Sequence, residues 1–77
     1  MSNTLRQLMA CTFGVPTNDI PDYAVADLYP PWNSLGHLEL MMALEMQYRV
    51  RIPAQMMSEL TSAVSIEAFL RCEGVMS

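Results

Sequence analysis

Ser34 stands where a hydroxyl can be given to chemistry. It follows the rigid, extended approach Pro30-Pro31-Trp32-Asn33 and opens the proline-free run Leu35-Gly36-His37-Leu38-Glu39-Leu40. A serine at a helix start is held at the surface, near free backbone N–H groups and the positive end of the helix dipole. An attached phosphate gains about 0.3–1 kcal/mol there. Two chemistries suit such a residue: acceptance of a phosphate-linked group, or nucleophilic attack with His37, one turn along, as base. The second needs a base oriented by a third group and an oxyanion hole, and no carboxylate can be assigned to orient His37. No catalytic residue is therefore expected, and the chain is not expected to be an enzyme. With one histidine and two cysteines, Cys11 and Cys72, no metal site is expected either. The plain alternative is that Ser34 only caps its helix, as most serines at such positions do.

The spacing of apolar residues predicts four helices to position this serine. The first runs from Thr4 to Phe13, with Asn3 as candidate N-cap, Leu5, Leu8 and Met9 at helical spacing, and Gly14 as stop before Pro16. From Gly14 to Asn33 the prolines at 16, 21, 30 and 31 forbid a long helix. A loop of that length needs anchors, and Ile20, Tyr23, Val25, Leu28, Tyr29 and Trp32 are the candidates, with a short helical turn between Asp22 and Leu28. Helix two is predicted over Ser34 to Tyr48. Its apolar residues form two stripes: Leu40, Met41, Leu44 and Tyr48 on one face, and Leu35, Leu38 and Met42 on a neighbouring one. A single core uses only one of them. Pro53 opens a short third helix, Ala54 to Leu60. Thr61 or Ser62 caps a fourth, with Val64, Ile66, Phe69 and Leu70 buried, Glu67 balancing its first turn and Gly74 as its stop. The expected fold is all-α: a small four-helix bundle with a long loop between helices one and two, forming a single domain over 1–77.

Composition narrows the function classes. Eight carboxylates stand against four arginines and no lysine, a formal net charge of −4, so nucleic-acid binding is disfavoured and basic docking surfaces on protein partners are favoured. Apolar residues make up 52% of the chain, yet the longest apolar run, Leu40 to Leu44 interrupted by nothing charged, is far too short to span a bilayer. The residues from Met1 to Met9 lack the basic flank and apolar stretch of a targeting peptide, and two cysteines make no disulfide framework. A cytoplasmic monomer with two reduced thiols is expected. Eight methionines suit either an irregular core or a surface that adapts to several partners.

The segment Trp32-Asn33-Ser34-Leu35-Gly36-His37-Leu38-Glu39-Leu40 resembles the Asp-Ser-Leu attachment motif of acyl carrier proteins and the helix that follows it. The likeness continues through Met42-Ala43-Leu44-Glu45, Tyr48, Ile52-Pro53, Leu60-Thr61-Ser62 and the helix from Ile66 to Leu70. Upstream, Ala26-Asp27-Leu28 resembles the family's loop landmark. It covers the chain from about Val25 to Leu70. The resemblance implies a carrier whose Ser34 bears a 4'-phosphopantetheine arm, placed there from coenzyme A by a phosphopantetheinyl transferase. Acyl groups ride on that arm as thioesters and are presented to acyl-loading and acyl-processing enzymes of fatty-acid, polyketide or a specialised pathway. It further implies that Leu35, Leu38 and Met42, edged by Glu39 and Glu45, meet those enzymes. Met46 and Gln47 stand where many relatives carry acids, which points to a specialised pathway. Asn33 stands where the family has Asp, keeping size and turn-forming hydrogen bonds while removing a negative charge that assists metal-linked phosphate chemistry at the transferase. The alternatives are a peptidyl or D-alanyl carrier with aminoacyl cargo, or an unmodified helical interaction module. The acidic balance and the Gly36-His37-Leu38-Glu39 context lean toward acyl cargo.

Overall fold

A computed structural model of the chain describes residues 2–75; residues 1, 76 and 77 of the expected domain lie outside the described residues. The described part is mostly helical. Its four α-helices are α1 (Asn3–Phe13), α2 (Ser34–Tyr48), α3 (Ala54–Met57) and α4 (Ala63–Cys72), and no strand occurs among the described residues. None of these helices is long and apolar enough to cross a membrane.

The first helix is capped one residue earlier than expected. Ser2 Oγ, not the Asn3 side chain, accepts the Leu5 N–H at 3.2 Å, and the Ser2 N–H itself donates to Glu67 on α4 at 3.0 Å. Gly14 ends α1 in the left-handed region at φ 70°, as a glycine stop requires. Leu5, Met9 and Ala10 are buried and α1 packs on α2, which offers Leu40, Met41 and Leu44 from its inner stripe. Tyr48, the last of that stripe, is only half-buried. Its hydroxyl is enclosed without a hydrogen-bond partner among the described residues, and burial first, then the Glu67 charge, pushes its pKa up.

The loop's 3-10 helix lies over Thr17–Asp19, and the expected short turn between Asp22 and Leu28 is present as hydrogen-bonded turns, Leu28 and Tyr29 N–H both donating to Val25 O at 3.1 and 3.0 Å. The stretch is also held by backbone pairing. Ala26 N–H donates to Thr61 O at 2.8 Å and Ala63 N–H to Ala24 O at 2.9 Å, with Val25 bridged to Ser62. That alternation turns Ala24 inward and leaves its neighbour Tyr23 exposed; Leu28, in the turn beyond the pairing, is exposed too, while Ile20 and Trp32 are buried. Arg6 on α1 adds a polar tie, donating to the Ile20 carbonyl and the Asp22 carboxylate.

Tyr29 joins the two ends of the loop, its phenol donating to Asp19 Oδ2 at 2.8 Å. Desolvation, then the hydrogen bond to Asp19 and its charge, push the phenol up from 10.0 to about 12. The folded value lies above the unfolded one. Its stabilisation is therefore complete below about pH 10 and disappears as pH rises through about 12. An alkaline absorbance titration is expected to show a late phenolate component near pH 12 that Tyr29→Phe removes, together with part of the alkaline loss of stability. An unchanged late component in the variant would count against this assignment.

The third helix is a single turn ending at Met57, short of Leu60, and its Met56 and Met57 are only partly buried. Ser62 caps α4 in a reciprocal box with Ser65, as the Thr61 or Ser62 expectation allowed. Its buried face is Ala63, Ile66 and Leu70. Val64 is exposed and Phe69 half-buried: with Ala63 at the first helical position aimed inward, the spacing of three and then four puts Val64 about 100° off the core. Cys11 and Cys72 are unpaired and exposed.

Candidate functional site

The head of α2 is built by the loop that precedes it. Trp32 N–H donates to Tyr29 O at 2.8 Å and Asp27 N–H to Trp32 O at 2.9 Å, so the Pro30-Pro31 corner closes on itself. Asp27 takes φ 69° to make that closure. Trp32 is fully buried against Phe13, with ring centroids 5.9 Å apart. The corner then lies on Gly36: a Cβ there would meet the Pro31 carbonyl oxygen at 2.5 Å. Gly36 is therefore a close-approach residue. Gly36→Ala is expected to lower stability by about 1–3 kcal/mol through forced displacement of the corner, read as a lower denaturant midpoint at unchanged slope. A midpoint equal to that of the parent chain would sink the close-approach reading.

Asn33, not Ser34, caps α2. Its Oδ1 accepts the Gly36 N–H at 2.9 Å and its carbonyl accepts the His37 N–H at 2.8 Å. Ser34 is the first residue of the helix. Its side chain is exposed, its hydroxyl makes no hydrogen bond to any described residue, and the N–H groups of Ser34 and Leu35 are equally uncommitted. Beside it lies a depression of about 130 Å³ walled by Ala26, Asp27, Asn33, His37, Ser58 and Thr61. Sequence reasoning reached part of this wall, since Ala26 and Asp27 belong to the loop landmark. Ser58 and Thr61 arrive from the α3–α4 connection, which only tertiary folding brings to Ser34.

His37 is committed on both ring nitrogens. Nδ1 accepts from Trp32 Nε1 at 3.0 Å, and Nε2 faces the Met57 carbonyl at 2.6 Å, so the tautomer that satisfies both carries its proton on Nε2. The ring also stacks on Trp32, with planes 21° apart. His37 thus joins loop, α2 and α3, and neither nitrogen is open to take a proton from Ser34. Sequence patterning gave no sign of this role. Among the described residues no cluster of three His, Cys, Asp or Glu side chains is arranged to hold a metal ion.

The outer stripe of α2 is open. Leu35, Leu38 and Met42 are 67, 52 and 55% exposed, and Met46, which sequence reasoning left out of the stripe, is 80% exposed. The spacing of four beyond Met42 was the available signal. Glu39 is exposed on the same helix. Glu45 differs from its expected place on an acidic edge. It is half-buried and its Oε2 accepts the Ile52 N–H at 2.8 Å, tying the end of α2 to the following segment, because the chain turns back there and leaves that amide otherwise unpaired.

No protein-family model matches the chain, nor does any curated protein or solved structure.

Proposed function

We propose that this chain is a carrier of acyl groups, its helices forming a small bundle of the acyl-carrier kind, with Ser34 as the attachment point of a 4'-phosphopantetheine arm. The observation that carries the reading is the division of labour at the head of α2. Asn33 does the capping, so the Ser34 hydroxyl is exposed and serves no hydrogen bond of the fold. A serine that only capped its helix would accept a backbone N–H on its Oγ, and this one accepts none from a described residue.

The residues present suit a phosphate-linked group. The free N–H groups of Ser34 and Leu35 and the positive helix end favour a phosphate on Oγ. The depression between Asn33, His37, Ser58 and Thr61 offers polar groups to the first atoms beyond it. In the attachment reaction the Ser34 oxygen would give up its proton to the transferase and bond to the phosphorus that bears the pantetheine, the pyrophosphate P–O bond of coenzyme A would break, and adenosine 3',5'-bisphosphate would leave. Once attached, the arm supplies a terminal thiol that holds the acyl group as a thioester. The chain itself supplies a rigid platform for that arm and a face for enzymes to dock on, and its expected partners are the transferase and the acyl-loading and acyl-processing enzymes. The expected setting is the cytoplasm, as a monomer. Intact-mass analysis after incubation with coenzyme A and a promiscuous phosphopantetheinyl transferase tests the reading: a phosphopantetheine-sized gain supports it, and no gain with several transferases removes it.

A further inference from the structure

The outward face of α2 is apolar along its length but does not keep one charge. Leu35, Leu38, Met42 and Met46 follow a spacing of three, four and four, which aligns them in one stripe. Arg49, three residues further at the helix C-cap, continues that spacing, and Arg51 follows it. Both arginines are exposed, and neither has an ion-pair partner among the described residues. Neither nearby acid forms an ion pair with them among the described residues. Glu45 is held on the Ile52 N–H, and Glu39 sits ten residues back, about 15 Å along the helix axis.

Arg49 also occupies a position that its backbone does not favour. It ends α2 at φ 54°, the left-handed conformation that Gly or Asn adopts with less strain. Its charge there complements the negative end of α2 and leaves the guanidinium exposed, open to a partner.

We infer that the α2 stripe docks a protein partner that presents an apolar ridge with an acidic cluster at one end, the cluster meeting Arg49 and Arg51. The inference rests on the carrier reading for the stripe's purpose and departs from the basic partner surface that the overall charge favours. A second copy of the chain is a poorer occupant. Parallel pairing sets Arg49 against Arg49, and antiparallel pairing about Met42 sets it against Leu35.

The test uses the full, unmodified chain, isotope-labelled for amide resonances, and two fluorescent amphipathic helical peptides with the same leucine ridge. One peptide ends in a glutamate cluster and the other in a lysine cluster. The glutamate-tipped peptide is expected to bind about tenfold more tightly at low salt, the order set by exchanging two exposed ion pairs for two like-charge contacts, and the gap is expected to shrink at high salt. Amide shifts are expected to run from Leu38 through Met46 to Arg51. Arg51→Glu, which lies outside the strained position, is expected to abolish the preference, and Arg49→Gly to weaken it while the helix content stays unchanged. Tighter binding of the lysine-tipped peptide, shifts away from α2, binding of neither peptide, or sedimentation as a dimer that buries the stripe each overturns the inference. The measurement needs no arm on Ser34. Loss of the peptide preference with mass gain intact overturns this inference alone, and preference without mass gain overturns the carrier reading alone.

Discussion

Ser34→Ala, treated with coenzyme A and a transferase that modifies the parent chain, is expected to keep its unmodified mass. The effect is all or none because the Oγ atom is the acceptor, and no neighbouring group can replace it. Thr61 and Ser58, the other hydroxyls at the depression, lie on a different segment and are not at a helix start with uncommitted amides. The variant is also expected to fold as the parent does. The Ser34 side chain is exposed and makes no hydrogen bond to a described residue, so its loss should change stability by less than about 0.5 kcal/mol. Far-ultraviolet dichroism and a denaturant midpoint check that control. Asn33→Asp completes the experiment, because Asp caps a helix about as well as Asn and differs here in charge. Faster modification of that variant at equal stability would assign the charge to the transferase step. Mass gain by Ser34→Ala would move the attachment point elsewhere and end the proposal for this serine.

Trp32→Ala is expected to lose about 3–5 kcal/mol of folding stability. Trp32 is the only tryptophan, fully buried, packed on Phe13 and stacked on His37, and its Nε1–H is the donor that His37 Nδ1 accepts. At about 0.05–0.15 kcal/mol per residue, a chain of 77 residues holds on the order of 4–12 kcal/mol in all. The variant should therefore be partly unfolded in buffer. Trp32→Phe separates the two contributions: it keeps an aromatic ring in the core and leaves His37 Nδ1 without its donor, for an expected loss of about 1–3 kcal/mol. Urea unfolding followed by dichroism measures both. The same loosening should slow modification of Ser34, whose approach is fixed by the Trp32 corner. A loss under about 1 kcal/mol for Trp32→Ala would show that the corner is held by its backbone bonds rather than by the indole.

How far the sequence reached differs from element to element. α2 was legible end to end, because proline stops at its approach, helix formers fill it and two apolar stripes repeat at helical spacing. The start of α1 was missed by one residue, since Ser2 and Asn3 are both good caps and only the position of the Leu5 amide decides between them. Tyr23 and Leu28 were misread as anchors because large apolar residues normally are. Between the buried anchors Ile20 and Trp32 the loop is held by the backbone of Ala24 and Ala26, and composition carries no sign of a two-residue pairing with the head of α4. Val64 was placed in the core by its type and removed from it by the phase of Ala63.

For the site the same division holds. The start of α2 at Ser34, the two apolar stripes and the helical class follow from residue types at fixed local spacing, and the sequence alone determined them; that Leu35, Leu38 and Met42 stay uncovered by the loop was decided by the fold. Tertiary structure decided which of Asn33 and Ser34 makes the cap, that His37 spends both nitrogens on Trp32 and Met57, that Ser58 and Thr61 wall the depression, and that Glu45 serves the Ile52 amide. The physical reason is range. Helix periodicity and capping are set by residues within a turn of one another, whereas a hydrogen bond between His37 and Met57 or between Glu45 and Ile52 exists only after packing has closed the chain between them.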